Sequence, residues 1–257
     1  MYKYEIKNYS LIRKCIEAIT SIIDEAEFEL NPDNVSIVCM DASRIALIEL
    51  KLGEDCFSQI EHDKQIKIGF NAQDLAKIMV RISNPENSSL EFDTENRTIK
   101  ITATENGRKR TFKLAQISTD IEEVPIGNLE QIEYDNSVSL LSSDLLDVLK
   151  DCEIYSEIFT IKTFEPNVFN VKSIGQIGEA EVELEIDGKE FTETDCSFSN
   201  KYFKDLLSKL SNVKAELFFT KGTPAFLHFE TGEDSYLNAW IAPRVDEEEE
   251  IDDTEFD

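Results

Sequence analysis

The sequence predicts an α+β protein made of two similar domains, and three observations carry that expectation. Short strand-like runs are interrupted by four stretches whose apolar residues recur at three- and four-residue spacing. The apolar pattern of the first half returns in the second at a nearly constant residue offset. Between the halves lies a stretch, 116–136, with turn residues and neither lysine nor arginine. At 257 residues the chain is long enough for two domains of ordinary size, with cores rich in Phe, Ile and Leu.

Taken in order, Lys3–Asn8 alternates like a strand, and Ser10 is the expected cap of a helix running to about Ile23, with Ile12, Cys15, Ile16, Ile19, Ile22 and Ile23 on its apolar stripe. Strand-like runs follow at Ala26–Leu30, Val35–Met40, Ile45–Leu52 and Gln65–Phe70. A second helix opens at Asn71, burying Leu75, Ile78, Met79 and Ile82. Three strands near Ser89–Asp93, Thr98–Thr104 and Lys109–Ala115 close the first half. The order then recurs: strand Ser137–Leu141, helix Ser142–Glu153, strands near Glu157–Thr163, Val168–Ile174, Ala180–Ile186 and Glu193–Phe198, helix Ser199–Leu210 and three final strands. Each half therefore reads β-α-β-β-β twice.

The recurrence holds residue by residue. Ile12, Cys15, Ile16 and Ile19 correspond to Leu145, Val148, Leu149 and Cys152 at an offset of 133. Phe70, Leu75, Ile78, Met79 and Ile82 correspond to Phe198, Phe203, Leu206, Leu207 and Leu210 at 128. Leu90, Phe92, Ile99 and Ala115 correspond to Leu217, Phe219, Phe226 and Ala242 at 127. The expected division is 1–115 and 137–245 as domains, 116–136 as connector, and 246–257 as an acidic tail disordered by charge repulsion. The connector carries Asp120, Glu122, Glu123, Glu130, Glu133 and Asp135, yet keeps Ile117, Ile121, Val124, Ile126, Leu129, Ile132 and Tyr134. A merely flexible tether is Gly/Ser-rich; this one has side chains to lay against a surface.

The net charge of −27 is unevenly spread. The four helices hold eight bases and seven acids in 50 residues, leaving −28 on the rest of the chain. Those bases are Arg13, Lys14, Lys77, Arg81, Lys150, Lys201, Lys204 and Lys209. Bases kept on the polar faces of matching helices point to one surface for a polyanion, with the acidic remainder repelling it elsewhere. Two strands also carry opposite charge: Arg108, Lys109, Arg110 and Lys113 on one, and Glu181, Glu183 and Glu185 on the other. They read either as charged, soluble edges or as strands that pair between subunits, with charge setting partner and register.

Chemistry is conspicuous by its absence. There is no phosphate-binding GxxxxGK[ST] or GxGxxG loop, and no CxxC pair among the five cysteines. His62 and His228 stand in no metal-ligand spacing. The expectation is no catalytic residue, no metal and no cofactor. No apolar run reaches 18 residues and the N-terminus lacks an apolar signal core, so the expected place is the cytoplasm, without a membrane partner.

Two stretches then carry a family resemblance. Val35-Ser-Ile-Val-Cys-Met-Asp-Ala-Ser-Arg-Ile-Ala-Leu-Ile-Glu-Leu50 and Trp240-Ile-Ala-Pro-Arg-Val-Asp246 are similar to segments of the archaeal and eukaryotic DNA sliding clamps, the proliferating cell nuclear antigen group, and look closest to archaeal members. The resemblance covers residues 1 to 246. It implies the DNA-clamp fold and a ring-forming trimer around duplex DNA, with the eight helical bases facing phosphates without base readout. It also implies closure by the two charged strands, with copies of this chain or paralogous subunits. The connector becomes one wall of a pocket for PIP-type peptides of DNA polymerase, clamp loader, flap endonuclease and DNA ligase. Carried over by position, that pocket holds Met40, Arg44, Leu47, Ile126, Leu129, Tyr134, Pro224, Trp240, Ile241, Ala242 and Pro243. Arg44 stands where many relatives have His, and Trp240 where Tyr, Phe or Leu is common. As a nucleoid-associated processivity factor the chain would be cytoplasmic in an archaeon and nuclear in a eukaryote. A different class remains open beside this one: an acidic scaffold or DNA mimic that binds basic proteins.

Overall fold

The computed structural model describes residues 2–61, 64–118 and 126–244. The first half runs β1 (Tyr2–Ile6), α1 (Tyr9–Thr20), β2 (Glu25–Leu30), β3 (Val35–Met40), β4 (Ala46–Leu52), β5 (Phe57–Glu61), β6 (Ile66–Asn71), α2 (Ala72–Val80), β7 (Asn87–Asp93), β8 (Thr98–Glu105) and β9 (Arg108–Ala115). A single turn, α3 (Ile126–Leu129), lies in the connector. The second half runs β10 (Asn136–Leu141), α4 (Ser142–Glu153), β11 (Ile158–Lys162), β12 (Val168–Gly175), β13 (Gly178–Glu185), β14 (Asp195–Ser199), α5 (Asn200–Lys209), β15 (Lys214–Phe219), β16 (Ala225–Glu230) and β17 (Tyr236–Ile241).

The described strands form three antiparallel sheets, ordered β5-β1-β7-β8-β9, β10-β15-β16-β17-β4-β3-β2-β6 and β13-β12-β11-β14. The two halves use the same pairings: β1-β7-β8-β9 matches β10-β15-β16-β17, and β6-β2-β3-β4 matches β14-β11-β12-β13. The eight-stranded sheet is thus half from each unit, joined where β17 pairs with β4 from Tyr236↔Lys51 to Ile241↔Ala46. Their counterparts, β9 and β13, are the outer edges of the other two sheets.

The helices pack in one layer in the order α2, α1, α5, α4. Alternation along the strands sends one set of side chains under this layer. Ile12, Cys15, Ile16 and Ile19 from α1 meet Phe28, Phe70 and Phe92, and the last three rings stack or meet edge-on at centroid distances of 4.0 and 5.4 Å. In the second half a different trio, Phe159, Phe198 and Phe203 (the last on α5), packs with ring centroids 5.1–5.9 Å apart. Helix ends are tied by side chains. Asn71 Oδ1 accepts from the Asp74 amide, and Asn200 Nδ2 donates to the Leu149 carbonyl to fasten α5 to α4. All five cysteines are buried and unpaired, and burial pushes their thiols well above the ordinary range.

Several expectations need correction. The α1 cap is Asn8, whose Oδ1 accepts from the Leu11 amide, rather than Ser10, and the helix ends at Thr20. A hydroxyl two residues further on lacks the geometry to reach the first free amides. β5 is an additional strand beside β1, with no counterpart among the described residues of the second half. The connector is not wholly extended, since it contains α3 and starts with an Ile117↔Gly69 bridge. The match of Ile99 with Phe226 fails as well: Ile99 is in the core, whereas Phe226 lies on the opposite sheet face. Pairing through the neighbouring strands makes Ile101 the counterpart of Leu227, so the offset there is 126. One residue of slip in a strand exchanges its faces. The tail at 246–257, His62 and the connector carboxylates Asp120, Glu122 and Glu123 lie outside the described residues.

Candidate functional site

The helical layer turns its polar faces away from the sheets. Lys77, Arg81, Lys150, Lys201 and Lys209 are exposed, and Arg13, Lys14 and Lys204 are partly so. Arg13 Nε pairs with Glu17 at 3.1 Å, Lys77 with Asp74 at 2.9 Å and Lys150 with Asp147 at 3.9 Å, while Lys204 bonds to Glu153 across the α4–α5 contact. Lys201 lies 5.9 Å from the Tyr202 ring centroid. Asp205, set among Lys201, Lys204 and Lys209, is nevertheless pushed up, because burial outweighs the three lysines. Exposed ion pairs of this kind are weak, so half of the bases are held locally without being neutralised as a surface. The face can attract phosphates along its length, with contacts that exchange readily.

At the two ends of the sheet layer, β9 and β13 show the same burial alternation, with every second side chain outward. Lys109, Thr111 and Lys113 face outward on β9, and Glu179, Glu181, Glu183 and Glu185 on β13. Arg108 is exposed at the start of β9. Arg110 departs from the expected edge set: it is turned inward, with Nη1 donating to the Arg81 carbonyl at 2.6 Å and Nη2 3.4 Å from Glu105. Beside β13 the fold also exposes Ile154, Ile158, Ile174 and Ile177, the last 80% exposed, and beside β9 it exposes Val80. Sequence reasoning missed these five residues, because Ile154, Ile158 and Val80 sit at element ends whose periodicity reads as core. Gly175 fits close here, since a Cβ would stand 1.8 Å from the Tyr155 carbonyl.

A third feature crosses the eight-stranded sheet on the face opposite the helices. Register places Met40 opposite Leu47, Leu47 opposite Trp240, Trp240 opposite Phe226 and Phe226 opposite Phe218, one row over five strands. Phe226 stacks on Trp240 at 4.9 Å and on Phe218 at 5.4 Å. The connector begins beside the β6 edge at Ile117 and rejoins the sheet at β10 on the other edge. Near its end Tyr134 lies over Phe226 and Phe218, 6.2 and 6.0 Å away, and burial pushes its phenol up to about 12. The Asp135 amide and carboxylate are held by Thr220.

Of the expected pocket residues, Met40, Leu47, Trp240 and Tyr134 come together in this row, with Ile126 and Leu129 half-buried on α3. Leu47 and Trp240 are only 5% and 4% exposed, so they form its floor rather than free anchors. Ile241 faces the other way and belongs to the core, as strand alternation requires. Ala242 donates its amide to the Ile45 carbonyl, and with Pro243 and Pro224 it is half-buried at the strand ends. Arg44 is exposed with φ +56, in a loop organised by Asp41, which accepts from the Ser43, Ile45 and Ala46 amides and from the Tyr202 hydroxyl at 3.1 Å. No cluster of metal-ligating side chains exists among the described residues, and no helix there is long and apolar enough to cross a membrane.

The same architecture recurs in known proteins. Residues 1–123 match the family model described as proliferating cell nuclear antigen, N-terminal domain. The chain is 28% identical over 246 residues to a DNA polymerase sliding clamp of Methanococcus maripaludis, covering 91% of this chain and 95% of that one. It is 29% identical over 239 residues to DNA polymerase sliding clamp 1 of Thermococcus kodakarensis, with 90% and 94% covered. Among solved structures, a PCNA from Thermococcus kodakaraensis superposes with a TM-score of 0.86 at 20% identity over 95% of this chain and all of that one. A PCNA2–PCNA3 complex from Sulfolobus tokodaii gives 0.84 at 21%, with 94% and 99% covered. With matched sheets, a single helical layer and relatives aligned over nearly their full length, the chain is similar from end to end to the DNA sliding clamps of the proliferating cell nuclear antigen group and shares their fold.

Proposed function

We propose that this chain is one subunit of a DNA sliding clamp, a ring of three copies that tethers DNA polymerase and other replication and repair proteins to duplex DNA. The observation that carries the reading is the internal β17·β4 pairing. β9 and β13 are the counterparts of those two strands and are left as free edges, so a second copy can supply the missing partner head to tail. Transferring the internal register through the matched strands places Phe112 opposite Ala180, Thr111 opposite Glu181, Lys113 opposite Glu179 and Lys109 opposite Glu183. Two of the outward pairs, Lys113 with Glu179 and Lys109 with Glu183, are then of opposite charge, which favours association with a copy of this same chain. The exposed isoleucines beside β13 and Val80 beside β9 supply apolar area for the same contact.

In such a ring the helical layer lines the hole and meets phosphates electrostatically, without base contacts. The reading assigns the chain no catalytic step. It makes the apolar row and the connector the docking site for PIP-type motifs, with polymerase, clamp loader, flap endonuclease and ligase as expected users. Light scattering of the purified chain, followed by primer extension on a circular template with clamp loader, tests the whole proposal. A trimer that extends product length supports it, and a monomer without effect on product length overturns it for the homotypic ring. A Thr111→Cys, Glu181→Cys protein tests the register, because it should form an intersubunit disulfide under mild oxidation.

A further inference from the structure

The helical bases divide into two kinds. Arg13, Lys77, Lys150 and Lys204 each have an acidic partner, whereas Lys14, Arg81, Lys201 and Lys209 enter no ion pair among the described residues. Three of those four sit on the adjoining helices α1 and α5. Asp205, one turn from both Lys201 and Lys209, lies within 4 Å of neither ammonium, and the α5 lysine that is paired reaches Glu153 of α4 instead. The chain leaves the fold beside these same helices. The Arg244 amide donates to the Ser197 carbonyl at 2.7 Å, and Ser197 on β14 stands three residues before α5, whose first turn carries Lys201. Beyond that point residues 246–257 hold nine carboxylates and no base. Thirteen residues from 245 onward can reach about 40 Å when extended, while α5 is about 15 Å long and neighbouring helices pack about 8–10 Å apart.

We propose that the acidic segment 246–257 lies along the basic face of α5 and α1, as an internal polyanion that duplex DNA has to displace. The proposal rests on the clamp reading above for the identity of the displacing polyanion, and on charge complementarity and the point of exit for the contact itself. Nine carboxylates meet bases that the helices leave without partners, on the one face of an otherwise acidic protein that attracts them. Tethering keeps the segment at an effective concentration on the order of millimolar, so individually weak pairs suffice. Such pairs exchange readily and are screened by salt. They hold off stray nucleic acid yet give way to a duplex passing through a ring.

Zero-length carbodiimide cross-linking of the full-length protein at low salt, mapped by mass spectrometry, tests the contact. Cross-links should join 246–257 to Lys14, Lys201 and Lys209, and should be lost at about 1 M salt, where the screening length is about 3 Å. Cross-links concentrated on Lys51 beside the apolar row, which Ile251 and Phe256 would produce by docking there, overturn the proposal, as does an even spread over the sheet lysines. Anisotropy with a linear duplex tests the competition. A full-length variant with Asn or Gln at all nine carboxylates should associate about 5-fold more tightly than the native chain at low salt. That gain should fall below about 1.5-fold when Lys14→Gln, Lys201→Gln and Lys209→Gln are present in both forms. A gain that persists there reflects general repulsion and overturns the proposal. If neither form associates with the duplex, the clamp reading fails instead, and the cross-links still decide where the segment lies.

Discussion

Strands β17 and β4 meet inside the chain, while their counterparts β9 and β13 end its sheets, and the same backbone geometry carries different side chains at the two places. At the inner junction Trp240 lies opposite Leu47, Asn238 opposite Glu49 and Tyr236 opposite Lys51. At the proposed outer junction the corresponding pairs are Lys113 with Glu179, Thr111 with Glu181 and Lys109 with Glu183. The inner junction forms once, during folding, and its apolar pair can serve as the floor of a docking row. The outer one must close and reopen between separate chains, where charge adds selectivity and sensitivity to conditions. One strand pairing has been specialised in two directions by its outward residues.

The largest expected effect separates the two directly. Ile48, fully buried at the inner junction, corresponds to Ala180 at the outer one. Ile48→Asp should cost several kcal/mol, about 3–5, by leaving a charge unpaired in the core, and should appear as a large loss in thermal melting. Ala180→Asp should melt close to the native chain as a monomer in light scattering; equal damage to folding would break the comparison. Next in size, Lys109→Glu with Lys113→Glu should abolish self-assembly, and mixing with a Glu179→Lys, Glu183→Lys protein should restore mixed oligomers by native mass spectrometry. Restoration separates charge recognition from simple damage to the strand.

A smaller effect concerns docking. Leu129→Ala should weaken a PIP-type peptide by about 1–2 kcal/mol with assembly unchanged. Trp240→Ala should weaken it too but also lower chain stability, because the indole is stacked and almost wholly covered. Calorimetry beside melting distinguishes the two. The smallest effect is one of pH. Amides of Asn84 and Ser83 and then Arg110 hold the Glu105 carboxylate below its usual range, against the opposing effect of burial. Its contribution is present above the ordinary carboxylate pKa and is lost as pH falls through the lowered one. Glu105→Gln should therefore flatten the acid limb of stability, which melting between about pH 5 and pH 2 would show.

Much of this was legible beforehand. Helix stripes such as Ile12–Ile19 and Leu145–Cys152 gave the repeated units, because burial of one face imposes a period on the sequence. Charge on β9 and β13 pointed to two edges, although charge alone does not mark one, since β2 is paired on both sides and still carries Glu25, Glu27 and Glu29 on its outward face. The exposed isoleucines were hidden because exposure depends on which element happens to lie above them. Arg110 was misread because its partner, the Arg81 carbonyl, belongs to an element 29 residues away.

The sequence by itself determined the order of most elements, the duplication, and the placement of charge on helices and on two strands. Those properties follow from local periodicity and composition. Only the tertiary structure decided that β17 pairs with β4, and hence that the halves share one sheet. It also decided that Leu47, Trp240, Phe226 and Phe218 fall into one row, and that Ile241 does not join them. Register between strands far apart in sequence is set by packing of the whole core, and a shift of one residue would have exchanged the docking face for the buried one.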